Sequence, residues 1–135
     1  MFKKVLVPLD GSNLAECTLS QLKSLFKDGS VGEATLLNIV TIDIPWADLE
    51  SGHFNLAAVR DEVLASSKKY LAEVESRLSS QGIKVKTESV EANRPAETIA
   101  EYAKKNGVEL IIMATHGHTG FKKLMLGSVA SGVLN

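Results

Sequence analysis

The chain has 135 residues, 44% hydrophobic, 23% charged and 5% aromatic, with 15 basic against 16 acidic side chains for a net charge of -1. That length supports one domain, residues 1–135, with a radius of gyration of about 14 Å and a single core. Balanced charge offers nucleic acid no basic field, the apolar runs are too short to span a bilayer, and a lone cysteine, Cys17, excludes an internal disulfide or a cysteine-based zinc cluster.

Taken in chain order, strand-like and helix-like segments alternate. Pro8 and Asp10 interrupt the apolar start too early for a signal peptide, so a cytoplasmic location is expected. Val5 to Leu9 predicts a short strand closed by the turn cluster Asp10-Gly11-Ser12, with Pro8 where laddering ends. Ala15, Leu19, Leu22 and Phe26 predict a helix with one buried face, entered through Asn13 and Glu16 and stopped by Asp28-Gly29. Ala34 to Val40 reads as a strand buried on both faces. Thr41 to Asn55, with Pro45, Trp46, Gly52 and His53, has no period and is the longest expected loop.

Helical spacing resumes from Leu56 through Val59, Val63, Tyr70, Val74 and Leu78, and Gly82 ends it. Strict alternation from Ile83 to Glu88 predicts a strand at a sheet edge with one wet face. Pro95 suits the first turn of a third helix, with Ile99 and Ala103 inward and Asn106-Gly107 closing it. Val108 to Ala114 predicts a further strand, followed by a glycine-bearing loop and a short helical pattern through Val129 and Val133. The order β-α-β-α-β-α-β-α predicts an open doubly wound α/β fold, a parallel sheet with helices on both faces.

In such a sheet, ligands bind outside the carboxyl ends of the strands where the winding reverses. With the first strand central and the Ile83 strand at an edge, the reversal falls between the first and fourth strands. Pro8-Leu9-Asp10-Gly11-Ser12 and Met113-Ala114-Thr115-His116-Gly117 should then face each other across a crevice. Gly117 and Gly120 permit close backbone approach, and Gly127-Ser128 stands before the last helical pattern, where amides and a hydroxyl can meet phosphate. On spacing alone, the same glycines also serve as turns and a cap.

The arrangement resembles the nucleotide-binding signature of the universal stress protein family, Gly-x-x-Gly, nine residues, then Gly-Ser or Gly-Thr. Here Gly117 is the second glycine, 118–126 are the nine, and Gly127-Ser128 closes the motif, with Ala114 at the first glycine position. Val7 to Ser12 is similar to the family's opening strand and loop, and Asn93-Arg94-Pro95-Ala96 to its third-helix entry. The resemblance implies strand order 3-2-1-4-5 and one bound adenine nucleotide, ATP or else ADP or AMP, with Mg²⁺ able to bridge the phosphates. It implies that Asp10 meets the ribose or adenine edge and Ile39 contacts adenine. Thr115, Gly117, Gly127, Ser128 and Val129 would surround ribose and phosphates, with Pro8, Met113 and Ala114 at the crevice walls.

The function this implies is a stress-response regulatory binding protein; a slow ATP hydrolase and a nucleotide-independent interaction module are the alternatives. No P-loop and no Gly-x-Gly-x-x-Gly after the first strand are present. His116 and His118 read as loop residues rather than a metal pair, Cys17 as structural, and Trp46 and His53 as a ligand cover or a partner surface. The family continues into a fifth strand used in dimer pairing, whereas Asn135 falls inside the last helical pattern. That strand is expected to be missing, and the outer edge of the fourth to be covered by a partner chain or a helix. A homodimer is the expected assembly, with no nucleic-acid or membrane partner.

Overall fold

Eight elements follow one another: β1 Phe2–Pro8, α1 Ala15–Lys27, β2 Val31–Val40, α2 Leu56–Ser79, β3 Lys86–Glu91, α3 Pro95–Lys105, β4 Leu110–His116 and β5 Lys122–Ser128. They come from a computed structural model that describes residues 2–9, 15–42, 55–116 and 122–128. The strands form one sheet in the order β3-β2-β1-β4-β5. The first four run parallel, as the helical crossovers require, and β5 runs antiparallel to β4.

Each face of the sheet has its own core. Val5, Val7, Leu9, Leu36, Leu110 and Ile112 pack with Leu19 and Leu22 of α1 and Leu71, Val74 and Leu78 of α2. On the other face Leu6, Leu37 and Ile111 pack with Ile99 and Ala103 of α3 and with Val108. Neighbours along β1 therefore alternate between cores, and so do Leu36 and Leu37, which is why these strands read as continuous apolar runs. Burying one such leucine contributes about 1.5–3 kcal/mol.

Helix ends follow from local chemistry. Asn55 Oδ1 accepts from the Ala58 amide at 3.1 Å to start α2, and Pro95 opens α3 where its missing N–H costs nothing. At the end of α2, the Gly82 N–H donates to Ser79 and the Ile83 N–H to Leu78, with Gly82 at φ 81°. This is the Schellman pattern, and Gly29 and Gly107 end α1 and α3 the same way. Ile83 is buried beside Leu78 in the same core cluster, completing the motif with an apolar contact.

That contact corrects one expectation. Ile83 and Val85 alternate as a strand would, yet Ile83 belongs to the helix stop, and β3 begins only at Lys86. It is nonetheless an edge strand, with Lys86 paired to Glu33 at 2.7 Å and Arg60 to Glu91 at 2.8 Å. β1 does end at Pro8, as expected.

A larger correction concerns the end of the described chain. Residues 122–128 were expected as loop and helix entry; they form β5, from His116↔Lys122 to Leu110↔Ser128. A parallel fifth strand after a last helix is not seen among the described residues. The apolar outer edge of β4 is covered, but by the chain's own hairpin arm rather than by a partner chain or a helix. An open edge offers a row of unpaired N–H and C=O groups, and the nearest segment able to extend takes them.

Crowding of Gly32 by the backbone of β1 supplies a prediction. A Cβ on Gly32 would stand 2.9 Å from the Lys3 carbonyl oxygen, where neither backbone can give way cheaply. Gly32→Ala is expected to lower stability by about 1–3 kcal/mol through overpacking, read as a lower urea midpoint at unchanged slope.

Candidate functional site

The ladder marks the place where a fold of this kind would take a ligand. β1 and β2 stay paired as far as Pro8↔Leu37, and the Leu9 N–H still donates to Leu37 at 2.8 Å. Among the described residues, β1 and β4 pair at Val5↔Leu110 and Leu6↔Ile111. Beyond that point no further register pair joins the two central strands among the described residues, and this is where the winding reverses. Successive residues of a strand turn their N–H groups to opposite neighbours. With Leu9 facing β2, position 8 faces β4, so proline sits where no ladder donor is needed.

Of the residues singled out from the sequence, Pro8, Ile39 and Met113 are half-buried at these strand ends. Ile39 and Met113 both pack against the core cluster on the α3 face, beside Val90 and Tyr102. Ala114 and Thr115 continue β4 beyond Met113, opposite Leu124 and Lys123. Gly127 and Ser128 are not brought to the crevice: they pair with Ile111 and Leu110, at the amino end of β4. At about 3.3 Å per residue, the four-residue offset from Thr115 to Ile111 is roughly 13 Å along the strand. The reading of Gly127-Ser128 as a helix entry beside Thr115 is corrected to that extent, because their backbone lies in a ladder. Asp10, Gly117 and Val129 lie outside the described residues, as do Asn13, Trp46, His53 and His118.

A polar chain that sequence reading missed runs under the same strand ends. Asn38 Nδ2 donates to the Leu9 carbonyl at 2.5 Å, Ser67 Oγ donates to Asn38 Oδ1 at 2.6 Å, and Ser67 and Ser89 hydroxyls are 2.7 Å apart. Ser67 is buried, on α2, one turn before Leu71. Its signals were present: Asn38 interrupts the run Leu36-Leu37-Asn38-Ile39-Val40, and Ser67 stands between Val63 and Leu71 on the apolar stripe of α2. A pocket of about 380 Å³ lies between α2 and β3, lined by Lys68, Leu71, Thr87, Glu88 and, from this polar chain, Ser89.

On the α3 face, the Tyr102 hydroxyl donates to the Glu88 carboxylate and ties α3 to β3. Burial, then the Glu88 charge, push the phenol up to about 12 from its ordinary 10.0. A raised folded-state value means that the contribution is complete below pH 10 and is lost as pH rises toward 12. Tyr102→Phe is expected to cost roughly 1 kcal/mol at about pH 8. That deficit should shrink in urea melts between about pH 10 and 12, where the wild type loses its advantage.

These features define an open doubly wound α/β domain with its crevice where such domains take small ligands. The model of the universal stress protein family matches residues 1–135. Universal stress protein MJ0577 of Methanocaldococcus jannaschii is 30% identical over 99% of this chain and 89% of its own. Universal stress protein YxiE of Bacillus subtilis is 31% identical over 98% of this chain and 92% of its own. The solved structure of MJ0577 superposes with a TM-score of 0.70, at 31% identity over 99% of this chain and 89% of that one. The chain belongs to the universal stress protein family. Among the described residues, no helix is long and apolar enough to cross a membrane.

Proposed function

We propose that this universal stress protein binds an adenine nucleotide, with ATP the leading ligand and ADP or AMP its substitutes, and acts as a stress-response regulatory binding protein. The observation that carries the reading is the end of β1–β4 pairing at Leu6↔Ile111, at the reversal of winding, with Pro8, Ile39 and Met113 half-buried at the strand ends beside it. Ile39 and Met113 offer the flat apolar walls that a base needs, and Asp10 follows directly on the Pro8-Leu9 end of β1. The same fold holds cAMP in one universal stress protein of solved structure, 15% identical to this chain with a TM-score of 0.57.

The phosphate half of the reading rests on Gly127 and Ser128. In the β4–β5 ladder their amides stand about 13 Å from Thr115, so binding through them requires residues 122–128 to leave β5. A second reading, the nucleotide-independent interaction module, is favoured by that same ladder, which keeps these residues away from the crevice.

Mass spectrometry of small molecules released from the purified, denatured protein separates the two, supported by thermal shift with ATP and Mg²⁺. Retained ATP, ADP or AMP, or a shift at millimolar ATP, supports nucleotide binding. Neither retention nor a shift overturns it in favour of the interaction module.

A further inference from the structure

We propose that the outer edge of β3, with the pocket between β3 and α2, takes an extended peptide of a partner protein as an added strand, an acidic side chain of that peptide seated on Lys68. The inference concerns the edge of the sheet remote from β5 and holds whether or not the strand ends carry a nucleotide.

The ladder fixes which main-chain groups of β3 are free. The Ala92 N–H donates to the Val40 carbonyl at 3.0 Å, and the Ala92 carbonyl accepts from Thr41 Oγ1 at 3.1 Å, so residue 92 turns both groups toward β2. Residues of a parallel ladder alternate in this respect. Glu88 and Val90 therefore also face β2, while Thr87, Ser89 and Glu91 turn N–H and C=O to the outside. Among the described residues, no strand lies beyond β3. Such a row of unpaired donors and acceptors is a template for one more strand.

The same residues turn their side chains to α2. The Ser89 hydroxyl meets Ser67 at 2.7 Å and the Glu91 carboxylate pairs with Arg60 at 2.8 Å, both on α2, whereas Glu88 reaches Tyr102 on the opposite face. Paired residues of neighbouring strands share a face, so alternate side chains of an added strand would point over the pocket. Its volume of about 380 Å³ lies within the range of sites that take a small ligand group, and buried Leu71 lines it beside Thr87, Ser89 and exposed Lys68.

Charge selects the occupant. Lys86 is held by Glu33 at 2.7 Å, Arg60 by Glu91, and the Glu88 carboxylate by the Tyr102 hydroxyl. Lys68 has no ion pair or hydrogen bond among the described residues. A carboxylate on the peptide thus finds a cation without displacing an existing pair, and a basic side chain is repelled. The β3 strand of a second copy would offer that face one carboxylate, Glu91, already taken by its own Arg60. Main-chain bonds to the edge supply affinity, and the pocket supplies the choice of side chain.

The test uses the full chain without nucleotide and a labelled, end-blocked hexapeptide of alternating valine and threonine with one central glutamate, followed by fluorescence anisotropy and amide hydrogen exchange. In the free monomer the amides of Thr87, Ser89 and Glu91 are expected to exchange fast and those of Glu88 and Val90 slowly; the peptide should protect the first three. Glutamine for the peptide glutamate should weaken binding about three- to fivefold and Lys68→Glu about tenfold, while a lysine peptide should prefer Lys68→Glu to the wild type. Of the two alternating patterns of peptide N-methylation, one should cost about tenfold and the other little. Thr87→Pro removes an outward donor, keeps the bonds to β2 and should also cost about tenfold; the N-methylated peptides carry that arm should the variant fail to fold. Slow exchange at Thr87, Ser89 and Glu91 in the free monomer overturns the inference. So does binding that neither charge reversal nor N-methylation changes, or no binding at millimolar peptide. Protection that rises with protein concentration alone, together with a dimer in sedimentation, assigns the edge to a second copy and overturns it too. Nucleotide retention is read separately, so each proposal fails on its own measurement.

Discussion

Leu37→Ala is expected to lower unfolding stability by about 2–5 kcal/mol, the range for truncating a fully buried leucine. Leu37 is 0% exposed and belongs to the smaller core cluster, where Ile99 and Ala103 dock α3 against Leu6, Leu37 and Ile111. Two costs add: the transfer free energy of the removed methyl and methylene groups, and the cavity left where neighbours cannot follow. The rigid strands supply Leu6 and Ile111, so only α3 can move in to fill the space, and α3 is held to β3 by Tyr102 and Glu88. Collapse is therefore resisted, and the cost should fall in the upper part of the range. Against a total of about 5–15 kcal/mol for a domain, that is a large fraction. Leu56→Ala is the control, since Leu56 is 39% exposed and its loss should register within about 0.5 kcal/mol. Urea melts of both variants at matched slope check the contrast; a Leu37→Ala cost near that of Leu56→Ala would mean that the α3 face does not form a packed core.

How far the sequence anticipates this structure depends on where the deciding force is local. Central strands and helices were legible because burial on both faces writes continuous apolar runs at Val5 to Leu9 and Ala34 to Val40, and one-sided burial writes Leu19, Leu22 and Phe26. Gly29, Gly82 and Gly107 were legible as stops because the left-handed position favours glycine whatever the surroundings. The start of β3 was misread because Ile83 satisfies two local patterns, strand alternation and the apolar contact of a helix stop, and only packing against Leu78 decides between them. β5 was not legible at all. Lys122-Lys123-Leu124-Met125-Leu126 has no period of two, and its strand form depends on the unpaired edge of a segment earlier in the chain. The reversal of winding between the first and fourth strands was legible from element order, whereas Asn38, Ser67 and Ser89 were passed over, because a polar residue inside an apolar pattern looks like noise until its partners are seen.

A disulfide that pins β5 to β4 is expected to weaken ATP binding by about ten- to hundredfold, and reduction is expected to restore it. Gly127 and Ser128 are the residues proposed to donate to the phosphates, yet here they pair with Ile111 and Leu110. One backbone segment cannot serve the ladder and a ligand at the opposite end of β4 together. Ile112 and Leu126 are direct register partners next to Gly127, and either kind of antiparallel pair has Cα atoms about 4.5–5.5 Å apart, within disulfide reach. Ile112→Cys with Leu126→Cys, in a background where Cys17→Ser removes the competing thiol, gives a lock with its own reduced control. A hydrogen bond to a charged group contributes about 1.5–3 kcal/mol, so losing one accounts for the expected factor. In the wild type, ATP should correspondingly raise amide exchange across the ladder bonds of residues 122–128. Equal ATP affinity in the oxidised and reduced forms would show that Gly127 and Ser128 do not touch the phosphates and would confine any nucleotide to the ends of β1, β2 and β4.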